Sequence, residues 1–347
     1  MWELDINFKL LRERFTSLVQ KFPDFEGSPN SLLFVLGSTD QNKIFQKTTV
    51  LHKWTLGYEF PATLIAVFKN RIVFITSAIK ANHLRKAIKT FEESSPDIKF
   101  ELWERNNKDP AHNKKLFDDV IALIKEAGAS VGVPTKDTYE GKFIKEWTPI
   151  WDAAVKEHSF NLVDISQGLS KVFEVKDSIE QALLATASKA SDKFMDLLSD
   201  EMVRAVDEEL KITNVQLSDK IENKIDDNKF MKKIAPVVGP LCPPNHSYIS
   251  EQLDWVNPPT IQSGKSFDLR TNAQSNNDQL YSNGCILATC AMRYEGYCSN
   301  ITRTFLIDPS EEITKNYDFM LELQNEIINN LLKVGNTPKI IYEGALK

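Results

Sequence analysis

Cysteine is scarce, with 4 in 347 residues, and so few thiols exclude a disulfide framework. Long apolar runs are missing as well. The longest, such as Leu32–Leu36 and Leu64–Phe68, fall far short of the roughly 18 residues that a membrane helix needs, so no membrane association is expected. The opening Met1-Trp2-Glu3-Leu4-Asp5-Ile6 carries early acids and no small-residue cleavage site, unlike a secretory signal. A basic excess is absent too, the formal charge being −6. Stand-alone DNA binders rest on a basic face, so direct DNA binding is not expected. No block of five acids occurs either; Glu92-Glu93, Glu208-Glu209 and Asp226-Asp227 come nearest. There is no internal repeat and no low-complexity tract. What is present is 42% hydrophobic content, over a length that can bury two cores. Together these features describe an intracellular, soluble, two-domain protein.

The first half alternates helices and strands. Phe8, Leu11, Phe15, Leu18 and Phe22 recur at helical spacing behind Asp5, which the pattern makes the N-cap. Leu32–Leu36 is a short apolar run and predicts a buried strand. Leu64–Phe68 and Ile72–Ile75 flank Lys69-Asn70-Arg71 and predict a strand pair. Ile98–Trp103 alternates, Leu116, Val120 and Ile124 mark a helix ended by Gly128, and Val131–Val133 and Phe160–Ile165 predict two further strands. A helix around Phe143–Trp147 separates these two. Strands layered with helices define an α/β N-terminal lobe over 1–174. A boundary near 170–177 is followed by a capping box, Asp177-Ser178-Ile179-Glu180, and a long helical pattern; Thr213–Gln216 is a second box. Pro236 to Pro259, with Pro240, Pro243, Pro244 and Pro258, predicts an extended loop. Strands from Ile286 and a helix over 310–333 complete an α+β lobe over 175–347.

The segment Leu287-Ala-Thr289-Cys-Ala291-Met-Arg-Tyr294-Glu-Gly296-Tyr297-Cys-Ser-Asn300-Ile-Thr302-Arg303-Thr304-Phe305 resembles a metal-binding hairpin of the aminopeptidase P/creatinase, or pita-bread, family. In that family the hairpin carries an Asp, a Gly two residues on, a Gly-Tyr, and a second Asp directly before Ile-Thr-Arg-Thr. With a His and two Glu, those acids hold two divalent metals that activate water for amide hydrolysis. Here the two Asp positions are Thr289 and Asn300, and the first Gly is Ala291. The region Asp268–Asn272 lacks the family's proton-shuttling His, and His246 is the only His of this half. The resemblance therefore implies a pseudo-aminopeptidase with no catalytic residue, no metal and no cofactor.

Longer stretches resemble the N-terminal domain of the large-subunit family of the FACT histone chaperone. They include Phe25–Gly37, Tyr58–Leu64, Lys114–Leu123, Ser191–Leu198, Ile261–Gly264 and Tyr297–Phe305. That resemblance implies a nuclear, chromosomal factor that reorganises nucleosomes in transcription elongation, replication and repair. Core histones are the implied ligand. The small FACT subunit is implied as a partner through domains outside this chain, with replication or transcription factors next. The family's pita-bread lobe continues past the position of Lys347, so the second lobe is expected to be incomplete. Two competing readings are an aminopeptidase P-type metallopeptidase and a purely structural docking lobe.

Other residues invite sharper readings. Cys242, Cys285, Cys290 and Cys298 cluster but contain no C-x-x-C, which favours buried, unreactive thiols over zinc. His52, His83, His112 and His158 are scattered, without ligand spacing. Lys80, Arg85, Lys86 and Lys89 form a candidate basic surface on a predicted helix, either simply solvated or in contact with an acidic partner. Tyr294, Tyr297, Asn300 and Arg303 are candidates to line a vacated cleft that binds a peptide through backbone hydrogen bonds. Alternatively, Arg303, Thr302 and Thr304 only satisfy a strand edge.

Overall fold

The computed structural model describes residues 4–40, 43–238, 253–264, 267–281 and 283–346. The chain divides into two compact units, Met1–Val175 and Lys176–Lys347.

The first unit opens with α1 (Phe8–Lys21), followed by β1 (Ser31–Leu36) and α2 (Lys47–Leu56). The N-cap of α1 is Asn7, not the expected Asp5. The Asn7 side chain accepts from the Leu10 amide at 3.0 Å, and Asp5 stands too far back to reach that turn. Then come β2 (Thr63–Phe68), β3 (Arg71–Ser77), α3 (Ala78–Ser94), β4 (Lys99–Arg105) and α4 (Pro110–Ala127). Asp109 caps α4 by accepting from the His112 amide, Pro110 occupies its first turn, and Gly128 ends it. The unit closes with β5 (Ser130–Val133), α5 (Lys142–His158), β6 (Asn161–Asp164) and α6 (Ser166–Glu174).

Its six strands run in the order β4-β3-β2-β1-β5-β6. Only β2 is antiparallel to its neighbours. Strand alternation sends Phe34, Ile65, Val67, Ile72 and Phe74 to one face, against α1, α2, α3 and α6. Leu33, Leu64, Ala66, Val73 and Ile75 go to the other, against α4 and α5. With both faces covered, β2 can be apolar throughout, which is why Leu64–Phe68 has no polar alternation.

The second unit starts with α7 (Ser178–Asp207), whose capping box forms both of its bonds. It continues through α8 (Asn214–Glu222), also boxed, and α9 (Asn228–Val238). Three antiparallel strands follow in the order β7-β8-β9: β7 (Leu253–Ser263), β8 (Gly284–Tyr294) and β9 (Tyr297–Ile307). Helices α7, α8 and α9 supply one side of the core and the sheet the other, through Phe194, Leu198, Leu217, Ile234, Trp255, Ile261 and Ile286. Next come α10 (Glu311–Glu326), a π turn at Ile327–Leu331, and α11 (Pro338–Ala345). The single helix expected over 310–333 thus stops as an α-helix at Glu326.

The proline-rich stretch is not one extended loop. Pro236 sits in the last turns of α9, and Pro258 and Pro259 lie inside β7. Proline has no amide hydrogen for the ladder, so it is tolerated on this edge strand only where the register breaks. Breaks fall between Trp255 and Asn257 and between Asn257 and Thr260. The freed Pro259 carbonyl accepts from the hydroxyls of Ser218 and Ser275. Pro240, Pro243, Pro244, Cys242 and His246 lie outside the described residues.

Candidate functional site

The β8–β9 hairpin is built around its turn. Glu295 and Gly296 both take positive φ, 50° and 85°, which is the two-residue turn whose twist matches a hairpin. The register runs unbroken from Tyr294↔Tyr297 to Gly284↔Ile307. Because side chains alternate, this register assigns every residue to a face. Ile286, Ala288, Cys290, Met292 and Tyr294 point into the core under α7 and are buried. Their partners on β9, among them Arg303, Ile301 and Tyr297, share that face. Thr289 and Ala291, with their partners Thr302 and Asn300, occupy the opposite face.

The four residues expected to line one cleft therefore do not. Tyr294 is buried in the core, 4% exposed. The Tyr297 hydroxyl donates to a Glu180 carboxylate oxygen at 3.0 Å. Arg303 is on the same face at the outer strand, exposed, its Nη1 donating to the Thr302 carbonyl at 2.9 Å. Only Asn300 lies on the far face, where Thr289 and Thr302 meet hydroxyl to hydroxyl at 3.0 Å. Among the described residues no group of three or more His, Cys, Asp or Glu is arranged to hold a metal ion.

Two residues outside the expected cleft set position this hairpin. Glu180, 2% exposed, bonds the Asp177 amide at 3.0 Å through one oxygen and Tyr297 through the other. It thereby ties the start of α7 to the hairpin tip. Ser191, fully buried on α7, accepts from the Met292 amide at 3.1 Å. That bond fastens α7 directly to the backbone of β8.

The thiols differ from one another. Cys290 is buried, and burial pushes its thiol up to about 12. Cys285 is half-buried, and Cys298 is exposed on the opposite face, contrary to the expectation of uniformly buried thiols. Alternation explains the split, since Cys298 pairs with Arg293 and not with a core position. Upstream, Asp268 is engaged by Arg270 at 2.7 and 2.9 Å, which holds its carboxyl down at about 2.

In the first unit, the basic candidates on α3 also separate. Arg85 donates to Asn82 and pairs with Glu104, and Lys89 reaches Glu93 at 3.5 Å; both lie exposed with Lys86. Lys80 turns inward and donates to the Pro61 carbonyl. The histidines stand apart: His52 is wholly buried, His112 contacts the Glu104 carbonyl, and His158 meets the Phe160 ring edge.

This combination, a mixed α/β lobe followed by a helix-backed antiparallel lobe, defines a two-lobed protein of the pita-bread class. The solved Xaa-Pro dipeptidase of Bacillus anthracis has the same fold, with a TM-score of 0.50 at 16% identity, covering 92% of this chain and 72% of that one. The description of the FACT complex subunit SPT16 N-terminal lobe matches residues 6–168, and that of metallopeptidase family M24 matches 182–347. The N-terminal domain of FACT complex subunit SPT16 from Eremothecium gossypii superposes with a TM-score of 0.87 at 55% identity, covering 98% of this chain and 77% of that one. The chain belongs to this family of SPT16 N-terminal domains. It is 62% identical over 347 residues to FACT complex subunit SPT16 of Saccharomyces cerevisiae, covering 34% of that protein. The chain thus spans about a third of the length of the curated relatives it matches.

Proposed function

We propose that the chain is a histone-binding, protein-interaction module of a FACT-type chaperone, which keeps a metallopeptidase fold without peptidase activity. The observation that carries this reading is the far face of the hairpin. Thr289, Ala291, Asn300 and Thr302 present hydroxyl, methyl and amide groups there. Two divalent cations sharing one site need anionic oxygens to offset their charge, and these groups carry none. The residues present do not fit the pair of metals the fold family uses, so no hydrolytic step is derived through them.

A basic ligand fits the charge distribution. Acids outnumber Lys and Arg only in the second unit, and complementary charge speeds and orients encounter. Core histones are the basic partner that membership in a FACT subunit family makes first choice. The small FACT subunit, together with replication or transcription factors, belongs to the whole protein's partners. A nuclear, chromosomal location and roles in transcription, replication and repair follow from the same reading.

The test is a titration of the chain with reconstituted core-histone complexes at about 0.15 M salt, where nonspecific attraction is partly screened. Saturable binding at micromolar Kd or tighter is expected. Asn300→Arg with Thr302→Arg should weaken it if the far face is used, and leave it unchanged if an outer face is used. Absence of saturable binding would overturn the proposal and leave a structural docking lobe.

A further inference from the structure

The carboxyl edge of the first unit's sheet carries a second feature. β1, β3, β4, β5 and β6 all point toward it. Strands β1 to β4 extend the sheet one way and β5 and β6 the other, so the order reverses at β1. Crevices at such reversals are where open α/β sheets take ligands. A cavity of about 250 Å³ opens there, lined by Ser38 after β1, Ala62 before β2, Arg105 at the end of β4, and Gly141, Lys142 and Phe143 at the start of α5.

Its lining is cationic. The Arg105 side chain is only 6% exposed and lies 4.5 Å over the Phe143 ring. Its Nη1 meets Glu146 at a loose 3.4 Å, and its Nε is buried with no partner among the described residues. Glu146 is also the acid nearest Lys142, at 4.0 Å, so one carboxylate serves two cations. Behind the lining, Lys80 of α3 donates to the carbonyl of Pro61, itself a wall residue; burial, then the nearby Arg105, lower its pKa. The first turn of α5 contains no acid, and among the described residues no side chain caps it. Its leading amides have no intrahelical acceptor and sit at the positive end of the helix dipole. Glycine lets the walls close: a Cβ on Gly141 would come 2.3 Å from the Ser38 hydroxyl, and one on Gly37 2.3 Å from the Glu140 carbonyl.

We propose that this cavity binds a carboxylate presented by an acidic peptide segment, gripped by the Arg105 guanidinium and the first-turn amides of α5. A guanidinium edge matches a planar carboxylate in two parallel bonds. The volume suits one side chain rather than a nucleic-acid strand, which needs a row of free cations along its backbone. The neighbouring exposed cations Arg85 and Lys89 are already paired with acids.

The test uses ¹⁵N-labelled chain titrated with hexaglutamate and, separately, with a single-stranded oligothymidylate at equal ionic strength. Hexaglutamate should bind saturably and shift the amides of Ser38 and residues 141–144. Arg105→Gln should weaken it by about tenfold to a hundredfold, the range for one charge-assisted hydrogen bond. Lys142→Gln, at a side chain 80% exposed, preserves the fold and should weaken binding several-fold. Hexaglutamate shifts scattered over the surface, affinity unchanged in Lys142→Gln, or binding of the oligonucleotide alone would each overturn the proposal.

Discussion

His52 offers a pH dependence whose size follows from its surroundings. Its ring is fully buried on α2, Nδ1 accepts from the Phe60 amide at 3.2 Å, and Nε2 has no partner among the described residues. The acceptor role of Nδ1 places the proton of the neutral ring on Nε2. Burial, with the Lys80 charge second, holds the imidazole down at about 3. An exposed imidazole titrates near 6.5. Between those two values the unfolded chain takes up a proton that the folded chain refuses. Stability is therefore fully present above pH 6.5 and falls as pH drops toward 3. Linkage gives a loss of about 2 kcal/mol from pH 7 to pH 5 for this group alone. The assay is urea unfolding followed by tryptophan fluorescence, which reports mainly the first unit because only Trp255 lies in the second. His52→Asn keeps an acceptor near Nδ1 and removes the titration. Its pH 7-to-5 loss should be smaller than the wild type's by about 2 kcal/mol. Equal losses in both proteins would refute the reasoning.

Three further outcomes follow from the second unit. Ser191→Ala removes a hydroxyl acceptor from the buried Met292 amide and should cost about 1 kcal/mol, read by thermal unfolding and by faster hydrogen exchange at Met292. Glu180→Gln and Tyr297→Phe should be non-additive, with a coupling of about 0.5–3 kcal/mol in a double-mutant cycle, because they share one hydrogen bond. In mass-spectrometric mapping of iodoacetamide labelling, Cys298 should react in the native protein and Cys290 only after unfolding, since only the latter is buried.

Much of the fold was legible because it rests on periodicity and capping. Strands β1 to β6 and the box at Asp177 and Glu180 all carry local signals. Helix α2 escaped because Thr48, Thr49, Leu51, His52, Trp54, Thr55 and Leu56 are all buried, leaving no polar stripe to set a period. β7 escaped because Pro258 and Pro259 read as a break, while a broken register on an edge strand accommodates both. The cleft failed for a different reason: hairpin parity assigns Tyr294, Tyr297 and Arg303 to the helix side, and parity is fixed only once the turn is placed. Glu180 showed its capping role in sequence, but its bond to Tyr297, 117 residues away, has no local signature.

The proposed function is binding without cleavage. The most direct measurement is calorimetric titration of the chain with core-histone complexes, once in EDTA and once with Mn²⁺, alongside an Xaa-Pro peptide hydrolysis assay. Identical saturable binding in both conditions, with the peptide intact, is the predicted result. Metal-dependent binding, or release of the N-terminal residue from the peptide, would contradict it.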